Sequence, residues 1–169
     1  MTVAPTSARF NRSEWSSAFR NVDEELTNVP LKPVRGEVPD ALRGSLYRNG
    51  PGRLERDGQR VHHPFDGDGM ITALHFDAEG VRCSNRFVRT SGWKAEEAAG
   101  KVLFRGVFGS QKPGGPLANA FDLRLKNIAN TSVVRLGEDL LALWEAAEPH
   151  ALDPHTLETK GISLLGGVL

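Results

Sequence analysis

The chain has 169 residues, and its 21 Lys and Arg balance 21 Asp and Glu, which gives a formal net charge of zero. This balance argues against a nucleic-acid partner, because neutralising phosphates needs an excess of basic residues. The length allows one domain of ordinary size and excludes a free-standing enzyme with several domains.

The N-terminal residues give no sign of export or of membrane insertion. Arg9 and Arg12 are not followed by the apolar core of a secretory signal. No segment reaches the roughly 18 apolar residues that a membrane span needs. The single cysteine, Cys83, cannot form an internal disulfide, and we interpret it as a buried, inert thiol in a reducing compartment. We therefore expect a cytoplasmic protein, with a peripheral membrane contact left open.

Residues 1–29 are predicted to form a tail and a short helix that precede a folded domain over residues 30–169. The helix would begin at Ser13, whose hydroxyl can cap it. Three apolar side chains would share one face of this helix: Trp15, Phe19 and Val22. Pro30 then forces an extended path, which separates this segment from the domain.

Short strands separated by turns are predicted from residue 45 onwards. They are residues 45–49, which end at the breaker cluster Gly50-Pro51-Gly52; the hairpin 70–76 with 81–89; the hairpin 131–136 with 140–145; and an edge strand broken by a turn at 152–157. A helical turn is predicted at residues 96–101 and a loop at residues 109–116. Because no long helical period appears, the sequence predicts an all-β sandwich, barrel or propeller.

The densest polar cluster is Phe65-Asp66-Gly67-Asp68-Gly69-Met70. Its Asp-x-Asp-Gly order resembles the start of a calcium loop, but position 12 of that loop is Asp77 rather than Glu, and position 6 is not Gly. We therefore predict a tight turn instead. In this turn the Gly residues adopt positive φ, and the Asp side chains accept hydrogen bonds from nearby backbone N–H groups.

The five histidines show no spacing that gives a convincing metal site. His62 and His63 are adjacent, so a regular strand would point them to opposite faces. His75, on the next strand, can meet only one of them, which leaves an incomplete ligand set. His150 and His155 lie in a Pro-flanked turn region and are predicted at the surface.

Glu145 closes the apolar run over residues 140–144. A carboxylate at the inner end of a buried strand is costly unless it is paired. Two interpretations stay open: a strand-end residue in solvent, which the residues alone favour, or an acceptor that orients a metal-binding His. The stretch 126–132 holds Asn127 and Asn130 just before a strand, and it predicts a bulge or an Asx-stabilised turn.

Six segments in a fixed order resemble the carotenoid cleavage oxygenases. They are Leu42-Arg43-Gly44-Ser45-Leu46-Tyr47-Arg48-Asn49-Gly50-Pro51, Phe65-Asp66-Gly67-Asp68-Gly69-Met70, Arg86-Phe87-Val88-Arg89-Thr90, Lys126-Asn127-Ile128-Ala129-Asn130-Thr131, Ala142-Leu143-Trp144-Glu145, and Leu152-Asp153-Pro154 with Thr156-Leu157-Glu158-Thr159. The stretches 105–111 and 121–125 most resemble the bacterial apocarotenoid oxygenase branch. The resemblance covers residues 30–169.

The resemblance implies a fold and a site. The family fold is a seven-bladed β-propeller with a non-haem Fe(II) on its axis, held by four His, three of which are hydrogen-bonded by Glu. With O₂, the iron cleaves a C=C bond of a carotenoid or apocarotenoid into two carbonyl products. Glu145 matches one of those Glu positions, where an acceptor fixes the orientation and tautomer of a ligand His and makes it more basic.

The resemblance also implies what the chain lacks. The first iron-binding His of the family is expected downstream of Leu169, so none of the present histidines matches a ligand position. We therefore expect the N-terminal third of such an enzyme, a partial propeller that binds no iron and is inactive alone. The family tends to contact membranes through an apolar patch at the substrate entrance, here residues 113–121 with Leu117 and Phe121.

Two alternatives from other functional classes stay open. In one, the chain is a standalone, non-catalytic β module that binds or interacts with another molecule. In the other, weaker alternative, it is a metal-binding domain that uses the histidines it has. The DNA downstream of codon 169 separates the fragment from the standalone module, because only the fragment predicts a continuation with the missing His.

Overall fold

The computed structural model describes Ser17, residues 19–120 and residues 125–168, so most of the helix predicted from Ser13 lies outside the described residues. Within this part of the chain, strands dominate and the helices are short. The strands are β1 (Leu26–Leu31), β2 (Gly44–Arg53), β3 (Glu55–Arg56), β4 (Gln59–Arg60), β5 (Asp68–Asp77), β6 (Gly80–Phe87), β7 (Ser132–Leu136), β8 (Asp139–Trp144), β9 (Ala147–Leu152) and β10 (Thr159–Ile162). The helices are α1 (Ser91–Ala99) and α2 (Gly115–Ala120), with a 3₁₀ turn at Pro64–Asp66.

The first sheet is antiparallel and has the strand order β1-β6-β5-β2. Its central hairpin, β5 with β6, confirms the predicted hairpin. The predicted break at Gly50-Pro51-Gly52 is wrong, because β2 continues through it to Arg53. Since β2 is an edge strand and the register shifts between Pro51 and Arg53, the missing N–H of Pro51 is tolerated there. Strand β1 spans the predicted segment boundary between residues 29 and 30.

The second sheet is an antiparallel meander with the strand order β7-β8-β9-β10. The predicted hairpin of β7 and β8 is confirmed. The prediction of an edge strand broken by a turn at 152–157 is right for the turn, which follows Leu152 at the end of β9, but the edge strand itself, β10, begins only at Thr159. The Asp153 carboxylate accepts the N–H groups of Thr156 and His155 in this turn, and these hydrogen bonds lower the Asp153 pKa.

The core lies between the two sheets and joins them into one packed unit. Tyr47 on β2 packs against this core and donates its hydroxyl hydrogen to the Pro154 carbonyl oxygen at 2.9 Å. The Asn49 amide donates to the carbonyl oxygens of Ala129 and Ser132, which holds β2 beside the start of β7. The buried cluster consists of Ile71, Ala73, Val88, Ala129, Leu140, Ala142, Leu152 and Leu157.

Helix α1 begins five residues before the helical turn predicted at residue 96. Thr90 caps its start by accepting the Trp93 N–H at 3.1 Å, and Gly100 ends it in the left-handed conformation with φ of 64°. The predicted loop at 109–116 is an irregular segment until α2 begins at Gly115. No helix in the described ranges is long and apolar enough to cross a membrane.

Candidate functional site

An open pocket of about 440 Å³ lies where β2, the start of β7 and the end of β8 meet. One side of it carries polar groups from the second sheet, and the other side carries aromatic rings from the segments around residues 65 and 108. Its lining includes Phe65, Phe108, Asn130, Thr131, Trp144 and Glu145.

Glu145 follows the last residue of β8 and is exposed at the pocket. Within the described residues its carboxylate has no hydrogen-bond or ion-pair partner, so both oxygens are available as acceptors. The Thr131 hydroxyl and N–H both donate to the Leu143 carbonyl, which keeps Thr131 beside the end of β8. This geometry fits both interpretations of Glu145, because the strand end is in solvent and also borders a pocket.

We call the rings of His63, Phe65 and Phe108 the aromatic wall. Their centroids form a closed triangle with separations of 4.8, 5.1 and 5.6 Å. His63 Nδ1 accepts the Phe65 N–H at 3.1 Å, which ties this ring to the segment that carries Phe65. Phe65 and Phe108 remain 56% and 48% exposed, which is unusual for large apolar rings. Sequence reasoning missed the wall, because Phe108 lies more than forty residues from His63 and Phe65.

The tight turn predicted at Asp66-Gly67-Asp68-Gly69 is wrong. Gly67 has φ of −75° and Gly69 is not among the residues with positive φ. The glycines are needed for space instead: a Cβ on Gly67 would lie 2.6 Å from Leu54 Cδ2, and one on Gly69 would strike the Ala129 carbonyl. Nor do the Asp side chains bond nearby N–H groups, since their partners are distant in the sequence.

Asp68 of this segment belongs to a cluster of four buried charged residues, Arg56, Asp68, Glu96 and Lys126, which we call the ionic quartet. The Asp68 carboxylate contacts Arg56 at 2.8 Å and Lys126 at 2.7 Å, and the Glu96 carboxylate contacts the same two cations at 2.9 and 2.6 Å. Glu96 also accepts the N–H groups of Leu103 and Phe104. Each buried charge therefore has two partners of opposite sign, as buried charges require, and Arg56 also pairs with the less buried Glu97 at 2.8 Å.

The histidines are dispersed. His63 caps the 3₁₀ turn, His62 is exposed, and His75 Nδ1 lies 2.7 Å from Ser45 Oγ. His155 is exposed as predicted, but the surface prediction for His150 is wrong, because β9 continues through it and leaves it 4% exposed. Among the described residues, no group of three or more His, Cys, Asp or Glu is placed to hold a metal ion. The metal-domain alternative therefore has no ligand set in this part of the chain.

Comparison with known proteins identifies the family. A family model described as "Retinal pigment epithelial membrane protein" matches residues 19–169. The chain belongs to this family of carotenoid oxygenases. It is 47% identical, over 99% of its length and 34% of the relative's, to the apocarotenoid-15,15'-oxygenase of Synechocystis. It is 38% identical, over 90% of its length and 26% of the relative's, to the chloroplastic carotenoid cleavage dioxygenase 7 of rice.

Solved structures of the Synechocystis apocarotenoid oxygenase give the same result for the fold. One of them superposes with a TM-score of 0.89 at 47% identity, covering 95% of this chain and 33% of that one. This overlap confirms the predicted fold, an N-terminal part of a β-propeller, in which the two four-stranded sheets are neighbouring blades. The chain spans about a third of the length of the relatives it matches.

Several of these structures are of altered forms of the Synechocystis enzyme. They include variants in which a threonine, a tryptophan or a glutamate is replaced. In the numbering of that enzyme, the tryptophan lies thirteen residues after the threonine, and the glutamate follows the tryptophan directly. Another structure is of a cobalt-substituted form, so that enzyme carries a metal.

Proposed function

We propose that the chain forms the N-terminal third of an Fe(II)-dependent oxygenase that cleaves a C=C bond of a carotenoid or apocarotenoid. Both atoms of O₂ enter the products in such a cleavage, and the two alkene carbons become two carbonyl carbons. The observation that carries the proposal is the pocket that brings Thr131, Trp144 and Glu145 together. The chain alone is expected to be inactive.

The spacing of these three residues supports the proposal. Trp144 lies thirteen residues after Thr131, since 144 − 131 = 13, and Glu145 follows directly. The residue types and the spacing are those of the three positions varied in the Synechocystis enzyme. We therefore assign Thr131, Trp144 and Glu145 to the equivalent site of this protein.

Glu145 would act on a metal ligand rather than on the metal. Its carboxylate is exposed and has no partner among the described residues, so it is free to accept the N–H of an imidazole supplied by the rest of the protein. This hydrogen bond would fix the ring orientation and tautomer of that His and raise its basicity. The described residues of this chain hold no metal-ligand group of their own, so we place the four His outside it. When bound, the iron would supply O₂ activation.

The aromatic side of the pocket favours an apolar, conjugated substrate. Phe65 and Phe108 expose large ring faces toward the same pocket that Trp144 and Glu145 line. Ring faces bind flat π-systems through offset or edge contacts and add burial of apolar area. A polyene chain matches both properties.

A graft provides the test, because the chain spans only a third of its relatives. In the graft, residues 19–168 of this chain replace the matching third of the Synechocystis enzyme. We expect Glu145→Gln to lower iron occupancy or oxygenase activity by roughly 10- to 100-fold, since loss of a hydrogen-bond partner of a ligand His has effects of that size. Metal analysis and turnover of an apocarotenal measure both quantities.

Glu138→Gln is the matched control, because Glu138 is also exposed but lies in the turn between β7 and β8, away from the pocket. It should leave iron content and turnover unchanged. Unaltered iron content and turnover in Glu145→Gln would remove Glu145 from the metal site. A wild-type graft that folds but never cleaves a polyene would favour the alternative of a non-catalytic binding module.

We further propose a cytoplasmic location with peripheral contact to membranes, because polyenes partition into lipid. The exposed side chain of Leu117 on α2 supports this, with 87% of its surface accessible. Phe121, the other apolar residue of the expected patch, lies outside the described residues. Binding of the graft to lipid vesicles tests the proposal.

A further inference from the structure

The two rings that form the apolar side of the pocket come from separate segments. Phe65 lies in the 3₁₀ turn before β5, and Phe108 lies in an irregular stretch between α1 and α2. Half of each ring is exposed, so side-chain packing alone does not fix them. Their 5.6 Å separation must therefore be set by groups that hold the two backbones.

Asp66 connects these two backbones. Its side chain is only 4% exposed, and its two oxygens take different partners: Oδ1 accepts the Phe108 N–H at 3.0 Å and Oδ2 accepts the Ser110 N–H at 3.2 Å. The carboxylate rests directly against Gly106, where a Cβ would overlap it. A buried carboxylate needs such donors, and hydrogen bonds to an ionised acceptor are the strong ones.

Further hydrogen bonds hold the two segments that Asp66 connects. The Ser110 carbonyl accepts the Gly106 N–H at 2.8 Å, and the Ser110 hydroxyl oxygen accepts the His62 N–H at 2.6 Å. On the other side, the Asn130 amide donates to the carbonyl oxygens of Phe65 and Gly67, at 2.9 and 2.7 Å. Asn130 thus fixes the segment that carries Asp66, and Asp66 fixes the segment that carries Phe108.

We propose that Asp66 is a positioning residue that sets the geometry of the aromatic wall and so the affinity of the site for a polyene. The inference rests on the proposed function for its substrate class. Asp66 does not line the pocket that Glu145 borders, and its oxygens are taken by the Phe108 and Ser110 N–H groups, so it acts on substrate binding and not on the metal or on bond cleavage. Its carboxylate is required because both of its oxygens accept a backbone N–H.

Asp66→Asn removes one of the two hydrogen-bond acceptors while keeping the size of the side chain. One amide oxygen still accepts, but the NH₂ group now faces a backbone N–H, and two donors do not bond. In the graft we expect a KM for β-apocarotenal about threefold to tenfold higher, the factor that corresponds to one lost hydrogen bond. The kcat and the iron content should remain within about twofold, because the metal side of the pocket is untouched.

Gly106→Ala is a second, independent variant that keeps the carboxylate but displaces it. It should raise KM in the same way, and it serves in place of Asp66→Asn should that variant fail to fold. Thr90→Ala is the control for general destabilisation, because it removes the buried cap of α1 away from the pocket. Thr90→Ala should lower stability and leave KM unchanged.

Hydrogen exchange separates this inference from the proposed function. In Asp66→Asn the backbone N–H groups of Phe108 and Ser110 should exchange faster, while those of the β8–β9 hairpin keep their rates. The dissociation constant of β-apocarotenal, measured by tryptophan quenching in the iron-free graft, should rise by the same factor as KM. An inactive wild-type graft would refute the proposed function and still leave these two readouts decisive for Asp66. Unchanged exchange and affinity, or a fall in kcat and iron content at constant KM, would overturn the role of Asp66.

Discussion

His150 shows how a single residue can be hidden by the strand that carries it. The His150 ring is buried on β9, where His150 pairs with Ala142 of β8 and Ile162 of β10. The Nδ1 atom of the ring has no hydrogen-bond partner in the described part of the chain. Burial lowers the His150 pKa. The negative charge of Glu148 raises this pKa in part, and the positive charge of Lys94 on α1 lowers it further. The folded protein therefore holds His150 in its neutral form.

The protein should consequently lose stability as the pH falls below the ordinary pKa of His. Between that value and the lowered folded pKa, the unfolded chain binds a proton that the folded chain excludes. The free energy of unfolding then declines by at most about 1.4 kcal/mol per pH unit for one such group. His150→Phe should reduce the loss seen in urea unfolding between pH 7.5 and 5.5. Part of the loss should remain, because burial, with His155 and Arg82, also lowers the His75 pKa.

The exposed His62 offers the control for this measurement, since among the described residues only its backbone N–H is hydrogen-bonded. His62→Gln should keep the full difference in the free energy of unfolding between pH 7.5 and 5.5. If His150→Phe keeps it as well, the ring is not the group that titrates.

At the residue scale, the role of a side chain depended more on partners that are distant in the sequence than on its sequence neighbours. Glu145 could be placed at the end of an apolar strand, because that feature is local. The roles of Asp66 and Asp68 could not, since their partners lie more than forty residues away or, for Arg56, on a separate strand, β3. A short Asp-Gly repeat looks the same whether its carboxylates close a turn or are buried against distant donors.

At the element scale, the ionic quartet fastens four segments together. Arg56 lies on β3, Asp68 on β5, Glu96 on α1 and Lys126 in the stretch before β7. Each cation contacts both carboxylates, so the loss of one member leaves an uncompensated charge in the interior. The quartet therefore fixes α1 on the first sheet and joins that sheet to the entrance of the second.

Lys126→Met should lower the free energy of unfolding by about 3–5 kcal/mol, the usual result of removing one partner from a buried pair. The double variant with Glu96→Gln should be less destabilising than the sum of the two single variants, because it removes one positive and one negative charge. Lys160→Met is the control: it breaks the half-exposed pair with Asp139 and should change stability little. Additive single effects in urea unfolding would show that the quartet is not coupled.

Elements with a clean alternation were predictable and the others were not. The hairpins β5–β6 and β7–β8 carry alternating apolar residues around short turns, which is a local signal. Strands β1 and β9 contain Pro30 and Pro149, which indicate breaks when read locally. The pairing of β1 at the sheet edge, where a missing N–H is tolerated, is settled only by the fold.

At the scale of the whole molecule, two neighbouring blades leave apolar side chains on the surface. Leu46, Val134 and Leu136 expose 46% to 58% of their surfaces. In relatives three times as long, further chain is available to cover such faces. Because of these faces and the unpaired strand edges, we expect the chain to be poorly soluble alone. The family resemblance, rather than the strand pattern, singled out the propeller among the all-β folds.

The proposed membrane contact depends on how α2 is held against the body of the protein. Its Asn119 side chain is buried and exchanges hydrogen bonds with the backbone N–H and carbonyl of Lys112, and it also donates to the Gly115 carbonyl. The helix is thereby fixed with Leu117 pointing outward. Val107 and Phe108 are half exposed in the preceding stretch, next to the pocket. An apolar edge beside the proposed polyene site is suited to take such a substrate from lipid.

Leu117→Ser should weaken binding of the graft to neutral phosphatidylcholine vesicles by about tenfold or more, because one buried Leu contributes roughly 1.5–3 kcal/mol. Co-sedimentation at a series of lipid concentrations measures the partition coefficient. Val134→Ser is the matched control, since Val134 is another exposed aliphatic residue but lies on β7, where the following part of the propeller would cover it. It should lower the stability of the graft and leave partitioning unchanged. Equal partitioning of Leu117→Ser and the wild-type graft would place the membrane contact elsewhere. If Leu117 serves only to transfer substrate from lipid, detergent micelles should restore the turnover of Leu117→Ser.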